Sequence, residues 1–160
     1  KIHRNVRFLL IGRELVHQNN VLLKLIKNTG FSNRFLLAGE KINISSYMNA
    51  MDIFCLPSIT EGFPNVVGEA MATSLPCVVS CVGDVKKITG NYAVLVEPRN
   101  IESLSNGLFQ ILDMDLKKRE VMGRNGRQRI ESEYPIDAAC EKHFKLYSSV
   151  AQGIDVGTIT

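Results

Sequence analysis

Two glutamates, Glu61 and Glu69, lie eight residues apart on either side of a segment that offers a site for an anion. Gly62 would let the backbone approach a ligand closely, and Pro64 suits the first turn of a helix. The unpaired N–H groups at the start of that helix, around residues 65–67, would bind a phosphate or diphosphate. An anion site beside two acids makes chemical sense if the ligand is long and reaches both kinds of group.

The two carboxylates would accept hydrogen bonds from hydroxyl groups elsewhere on that ligand, and sugars and ribose supply such hydroxyls. A diphosphate flanked by two polyols is a nucleotide sugar. A purely structural interpretation stays open, because Glu61 could complement the helix dipole and Glu69 could be an ordinary surface residue. The spacing of two glutamates does not decide between these interpretations by itself.

Five short apolar runs predict the strands that would position this segment. Continuous apolar runs of about five residues are typical of strands buried on both faces of a parallel sheet. Ligands of such sheets bind beyond the carboxyl ends of the strands, so binding is expected in the loop that follows the third run. The runs are residues 7–11, 34–38, 52–56, 76–80 and 92–96.

The segments between the predicted strands have the apolar periodicity of helices. Alternating strands and helices predict an α/β fold with a Rossmann-like, doubly wound parallel sheet and C-terminal helices. Residues 1–150 are predicted to form the domain, and residues 151–160 to be a tail without helical period. The predicted helices are one that includes residues 21–26 and stops before Gly30, then residues 45–51, 64–73, 101–112, 116–133 and 136–150.

Composition narrows the class of protein. The 160 residues are enough for about one domain, and 45% hydrophobic with 22% charged residues excludes disorder, collagen-like repeats and coiled coil. The net charge of +3 neither requires nor excludes an anionic partner. No apolar run approaches the ~20 residues of a transmembrane helix. The chain begins at Lys1 rather than at methionine, which predicts that it is a piece of a longer protein.

The four cysteines are too few for a small disulfide scaffold, and a reducing cytoplasm is the expected location. Cys55 and Cys77 lie inside apolar runs and are predicted to be small core residues. Cys77 and Cys81 are four residues apart without a second Cys or His pair to complete a zinc site. The sequence therefore predicts no metal site.

The segment from Glu61 to Ala72 resembles the E-x7-E signature of the retaining glycosyltransferases of family 4, which have the GT-B fold. It reads Glu-Gly-Phe-Pro-Asn-Val-Val-Gly-Glu-Ala-Met-Ala. Residues 50–58 resemble the strand that precedes this motif in the family, and residues 74–79, 82–84 and 121–127 resemble segments that follow it. The resemblance covers roughly residues 6–148 in the right order, so it implies the nucleotide-sugar donor domain of such an enzyme.

The resemblance also implies roles for individual residues. Glu61 would contact the transferred sugar near the reacting carbon as the catalytic residue, and Glu69 would hold the ribose hydroxyls. The donor would be a UDP- or GDP-sugar, with no cofactor and no obligatory metal. The donor-binding candidates are Gly62, Phe63, Pro64, Asn65, Val66, Val67 and Glu69. The candidates for the base pocket are Gly39, Glu40 and Lys41, followed by Ser58, Gly12 and Arg13.

The mechanism implied by the family is transfer of a hexosyl group with retention of configuration. The acceptor hydroxyl would attack on the face from which the diphosphate departs, through a transition state that resembles an oxocarbenium ion. Fixed hydrogen-bond donors would hold the charge of the leaving group. Glu61 would then orient the sugar, and a nucleophilic role for Glu61 is the less favoured alternative.

The sequence departs from the family at its start. The donor domain of the family opens with a strand ending in Gly-Arg and a loop with Lys, which grip the diphosphate. Residues 5–12 match the family's second strand instead, so the chain is expected to lack the first strand–helix unit and the N-terminal acceptor domain. The isolated fragment is then expected to be inactive. Because the first strand is central in a doubly wound sheet, its loss predicts a gap or self-association through an unpaired edge.

Other functions are less consistent with the residues. Nucleic-acid binding would begin from the basic stretch 124–129, but Glu120, Glu131 and Glu133 interleave and stacking aromatics are absent, so no nucleic-acid partner is predicted. The alternative function is a non-catalytic α/β nucleotide-binding or protein-interaction domain. For the full-length enzyme the family implies bacterial surface polysaccharide biosynthesis in the cytoplasm, peripheral to the inner face of the membrane, without a transmembrane segment.

Overall fold

The computed structural model describes residues 5–153 and divides the chain into two compact units, Lys1–Asp52 and Ile53–Thr160. Of the predicted tail, residue 151 completes the last helix and residues 152–153 form a turn, while residues 154–160 lie outside the described residues. No helix within residues 5–153 is long and apolar enough to cross a membrane.

The described part of the first unit, residues 5–52, contains two parallel strands and two short helices. Strand β1 pairs with β2 so that Phe8 lies opposite Phe35, and their rings stack with centroids 4.8 Å apart. Helix α1 begins where the Asn19 side chain accepts a hydrogen bond from the Leu22 N–H at 3.1 Å, an N-cap that the sequence favours locally. The elements are β1 (Phe8–Ile11), α1 (Asn20–Asn28), a 3₁₀ turn (Ser32–Arg34), β2 (Phe35–Gly39) and α2 (Ile44–Met48).

The second unit is built on a three-stranded parallel sheet in the order β3-β4-β5. Every residue of the central strand β4 is buried, as its run of β-branched residues predicts. Val78, Val96 and Ile111 form a core cluster between the sheet and α5. The elements are β3 (Phe54–Leu56), α3 (Asn65–Ala72), β4 (Cys77–Ser80), α4 (Val85–Thr89), β5 (Val94–Val96), α5 (Ile101–Leu112), α6 (Leu116–Glu133) and α7 (Ile136–Ala151).

Helix α6 lies against α3 because a glycine permits the approach. A Cβ atom at Gly123 would overlap the carbonyl oxygen of Ser74, the residue that joins α3 to β4. Val67, Ala70 and Met71 form the buried face of α3. The opposite face of α3 is consequently left open.

The predicted fold class is confirmed: the protein is a parallel-sheet α/β fold with C-terminal helices, and all five predicted strands are present. The strands form two parallel sheets, one in each unit. The prediction that all strands are buried on both faces is wrong for β1 and β2, where Phe8 and Leu36 are exposed.

Several finer predictions are also corrected. Cys55, predicted to be a core residue, packs against the core cluster but is only half-buried, because β3 is an edge strand of its sheet. Helix α2 ends at Met48, three residues before the predicted end. Helix α4 was not predicted, since five residues are too few to show helical periodicity.

Two of the four cysteines are buried or half-buried, and the other two are exposed. Cys77 is fully buried, and burial raises the pKa of its thiol to about 12, while burial raises the pKa of Cys55 to about 11. Both thiols therefore stay protonated near neutral pH and pack as apolar groups. Cys81 and Cys140 are exposed free thiols.

Candidate functional site

The start of α3 is open to a ligand. Pro64 precedes the first helical residue with extended backbone angles, φ −76° and ψ 93°, and no side chain caps the helix. The first turn contains no acidic residue, and the N–H groups of Asn65 and Val66 have no hydrogen-bond partner among residues 5–153. Pro64 thus lies just before the first turn rather than in it, and two backbone donors are left for an anion.

Glu61 is held in the loop that leads to this helix. We call residues 57–64 the β3–α3 loop. The half-buried Glu61 carboxylate accepts a hydrogen bond of 2.7 Å from the Ser58 hydroxyl. Glu61 lies before the first turn of α3, which contains no acidic residue, so Glu61 is not an acid of that first turn. Ser58, a base-pocket candidate, is therefore a direct partner of Glu61.

The β3–α3 loop is supported from one side by the connection between β4 and α4. The N–H of Asp84 donates to the Gly62 carbonyl at 2.9 Å. Gly83 has φ +51°, and a Cβ atom there would overlap the carbonyl oxygens of both Glu61 and Gly62. On its other side Gly62 is exposed, with no atom within 4 Å of the Cβ position. One side of the loop is thus packed and the other is free for a ligand.

Glu69 lies on the open face of α3. It follows Asn65 by one turn of the helix, and both residues are exposed, while Val67 is fully buried and anchors the helix. Within residues 5–153 the Glu69 carboxylate has no hydrogen bond or ion pair. It is free to accept hydrogen bonds from ligand hydroxyls.

The remaining predicted donor contacts of this segment differ in exposure. Phe63 is 48% exposed, and its ring lies 6.1 Å from the ring of Tyr134. Pro64 is buried and Val66 is half-buried, so their contribution to a ligand would come from backbone atoms. The loop and the start of α3 together present backbone donors and two carboxylates along one continuous stretch of chain.

The base-pocket candidates of the first unit lie near one another. The Gly12 N–H donates to the Gly39 carbonyl at 3.0 Å, which brings the ends of β1 and β2 together. The side chains of Arg13 and Glu40 are 3.7 Å apart but 81% and 67% exposed, and ion pairs of this kind contribute little to stability. The Lys41 ammonium lies 5.7 Å from the centre of the Tyr47 ring.

Within residues 5–153 no cluster of three His, Cys, Asp or Glu side chains is arranged to hold a metal ion. The residues that support the loop, Gly83, Asp84 and Tyr134, were not among the predicted site residues. A glycine in the short connection that follows a buried strand is the signal that could have identified Gly83. Tyr134 has no such signal, because its contacts lie far away along the chain.

Comparisons with known proteins identify the family of the chain. The family described as "Glycosyl transferases group 1" matches residues 1–129. The chain is 31% identical over 143 residues to the Escherichia coli enzyme UDP-Gal:alpha-D-GlcNAc-diphosphoundecaprenol alpha-1,3-galactosyltransferase, covering 88% of this chain and 36% of that protein. It is 29% identical over 151 residues to the capsular polysaccharide biosynthesis glycosyltransferase CapM of Staphylococcus aureus, covering 91% of this chain and 38% of CapM.

Among solved structures, HepE from Anabaena in complex with UDP-glucose superposes with a TM-score of 0.82 at 24% identity, over 91% of this chain and 42% of HepE. A likeness at this level of identity shows a shared fold. The chain spans between a third and two fifths of the length of the two curated relatives named here.

Proposed function

Because this chain belongs to the group 1 glycosyl transferases, we propose that it is the nucleotide-sugar donor-binding part of a longer, retaining glycosyltransferase of family 4. The observation that carries the proposal is the uncapped start of α3, where two N–H groups and the Glu69 carboxylate have no partner within residues 5–153, preceded along the chain by the loop carboxylate of Glu61. The coverage of only 36% of the E. coli relative supports the view that acceptor binding belongs to another part of the enzyme.

The proposed donor is a UDP- or GDP-sugar. A diphosphate bound at the N–H groups of Asn65 and Val66 would face the positive end of α3. Glu69, one turn further along, would accept hydrogen bonds from the ribose hydroxyls. Glu61, held by Ser58, would accept hydrogen bonds from the sugar. Two similar proteins support a nucleotide-sugar donor, since one is named for UDP-Gal and the other was solved with UDP-glucose.

The proposed reaction transfers a hexosyl group with retention to an acceptor hydroxyl. The acceptor oxygen forms a bond to the anomeric carbon while the bond from that carbon to the diphosphate oxygen breaks. The electron pair of the broken bond stays on the diphosphate, and the acceptor proton passes to the departing phosphate oxygen. The backbone donors of α3 would hold the charge that develops there, without an obligatory metal or cofactor. Glu61 would orient the sugar and face the positive charge of the oxocarbenium-like transition state. It would not form a covalent intermediate.

The proposed setting is bacterial surface polysaccharide assembly, with the full-length enzyme in the cytoplasm and bound peripherally to the inner face of the membrane. The names of the relatives support this setting, since one acts on a diphosphoundecaprenol acceptor and another belongs to capsular polysaccharide biosynthesis. The donor-binding part alone would not turn over, because the acceptor-binding domain is needed, and its unpaired strand edges could lead to self-association.

The test is a turnover assay on the full-length transferase with a panel of UDP- and GDP-hexoses. We expect release of UDP or GDP that depends on an acceptor, and a product whose anomeric configuration by NMR equals that of the donor. An inverted product would refute retention. Absence of any donor binding by the full-length protein would favour the alternative of a protein-interaction domain.

A further inference from the structure

Helix α4 is held at both ends by groups far apart along the chain. At its start, the Asp84 N–H donates to the Gly62 carbonyl of the β3–α3 loop at 2.9 Å. At its end, the carbonyl oxygens of Lys87 and Ile88 accept hydrogen bonds from α6 and the residue that follows it. A helix of only five residues is marginal alone, so these contacts determine where it lies.

Arg129 makes the main contact at the end of α4. Its Nε donates to the Ile88 carbonyl at 2.8 Å, and its Nη2 donates to the Lys87 carbonyl at 2.7 Å. The third guanidinium nitrogen, Nη1, pairs with Glu133 at 2.5 Å. The Arg129 side chain is only 18% exposed, and its hydrogen bond to the Ile88 carbonyl is partly shielded from water. The fork of an arginine suits two adjacent carbonyl groups, which a lysine could not bind together.

Tyr134 contacts both the end of α4 and the β3–α3 loop. Its hydroxyl donates to the same Lys87 carbonyl at 2.9 Å, and its ring lies 6.1 Å from the ring of Phe63. Phe63 belongs to the β3–α3 loop, whose Gly62 carbonyl is bound to the start of α4. The loop, α4 and the end of α6 therefore form a closed set of contacts.

We propose that Arg129 and Tyr134 are positioning residues that fix the β3–α3 loop for the donor, a role that rests on the proposed function. The loop supplies Glu61 and the approach to α3, and a ligand binds more tightly when such groups are ordered before binding. Arg129 fixes α4, α4 fixes Gly62, and Tyr134 fixes Phe63. Neither residue contacts the donor in this account.

Arg127 on the same helix supplies a matched control. It pairs with Glu131 at 2.7 Å, which is the same i,i+4 spacing as the pair of Arg129 and Glu133. The Arg127 side chain is 54% exposed and has no contact with α4 among the hydrogen bonds of residues 5–153. Substitution of Arg127 thus removes a helical ion pair but no hydrogen bond to α4, which contacts the β3–α3 loop.

The experiment measures the dissociation constants of UDP-glucose and GDP-mannose by calorimetry, with thermal unfolding in parallel, on the full-length transferase. The variants are Arg129→Met, Tyr134→Leu, Tyr134→Phe and Arg127→Met. We expect Arg129→Met and Tyr134→Leu to weaken binding of the accepted donor about tenfold, from lost charged and aromatic contacts. Tyr134→Phe keeps the ring against Phe63 and should lose only about threefold. Arg127→Met should bind like the wild type.

Equal donor affinity in wild type, Tyr134→Leu and Tyr134→Phe would overturn the proposal. If Arg129→Met does not fold, donor affinity in the two Tyr134 variants tests the proposal instead. The proposal would also be overturned if donor affinity fell in proportion to thermal stability in all four variants. Arg129 and Tyr134 would then have a structural role only. Failure of the wild type to bind either probe would instead contradict the proposed function, so the two failures are distinguishable.

Discussion

The β3–α3 loop of the second unit and the strand ends of the first unit hold their polar groups in different ways. In the loop, Glu61 is half-buried and bound to Ser58, and Gly83 packs directly behind it. At the ends of β1 and β2, Arg13 and Glu40 form an exposed pair with a distance of 3.7 Å. Both places follow parallel strands, where ligands are expected.

The difference shows that position after a strand does not by itself make a preorganised site. The loop has a packed side, an open side and a helix start with free donors. At the strand ends of the first unit, the Arg13 and Glu40 side chains are 81% and 67% exposed, so their ion pair holds them only weakly. We therefore expect changes in the loop to have large effects and changes at the first-unit strand ends to have small ones.

The largest effect is expected for Gly83→Ala. The added methyl group would overlap the Glu61 and Gly62 carbonyls, and alanine disfavours the positive φ, so the change should cost about 3–5 kcal/mol in unfolding free energy. Gly30→Ala is the matched control, because Gly30 has φ +74° but open space around its Cβ position. Chemical denaturation measures both. Equal losses in the two variants would show that only backbone strain matters and that the loop is not packed on Gly83.

Glu61→Gln in the full-length transferase should lower turnover about a hundredfold, because a carboxylate near the reacting carbon loses its charge. The amide keeps the shape and can still accept a hydrogen bond from Ser58, so donor affinity should change less than turnover. Initial rates with the accepted donor provide the measurement. Glu131→Gln, at an exposed glutamate of α6, is the control. Unchanged turnover in Glu61→Gln would remove Glu61 from the active site.

Ser58→Ala should lower turnover by about fivefold, since one hydrogen bond to a partly exposed carboxylate is lost at a cost of about 1 kcal/mol. The Glu61 carboxylate would remain but would no longer be held in one orientation. The same rate assay tests this. A combination of Ser58→Ala with Glu61→Gln that loses the full product of both single effects would contradict a shared action of the two residues.

The smallest effect is expected for Arg13→Met, with a change below about 0.5 kcal/mol in unfolding free energy, because the ion pair with Glu40 is exposed. Thermal and denaturant unfolding provide the measurement. A loss of unfolding free energy above about 2 kcal/mol would show that the first unit holds this pair more firmly than its geometry indicates. The strand ends of the first unit would then not differ from the β3–α3 loop as we expect.

The elements that the sequence predicts best are those with local signals at their ends. Helices α5 and α6 begin and end at the predicted residues. The Asn100 side chain accepts from the Ser103 N–H at 2.9 Å, and the Asp115 side chain accepts from the Lys118 N–H at 2.8 Å. The latter hydrogen bond lowers the pKa of Asp115. Such N-caps involve residues three apart, so they can be recognised without knowing the fold.

The elements that were missed depend on contacts between distant residues. Helix α4 has no side-chain N-cap and only five residues, and the groups that hold its end are Arg129 and Tyr134, more than 40 positions away. The support of the β3–α3 loop by Gly83 is likewise a contact between separate segments. Glu61, Glu69 and Ser58 could be selected from the sequence, whereas Arg129 and Tyr134, whose contacts with α4 lie far away along the chain, could not.

We propose above all that the open face of α3 binds a nucleotide sugar through Glu69. It is tested most directly by calorimetric titration of the full-length transferase with UDP-glucose and GDP-mannose, comparing wild type, Glu69→Ala and the exposed control Glu131→Ala. We predict that wild type and Glu131→Ala bind one of these donors equally well, and that Glu69→Ala binds it at least about tenfold more weakly, because the ribose hydroxyls lose their carboxylate acceptor. Glu69→Ala binding as tightly as the wild type would contradict the claim.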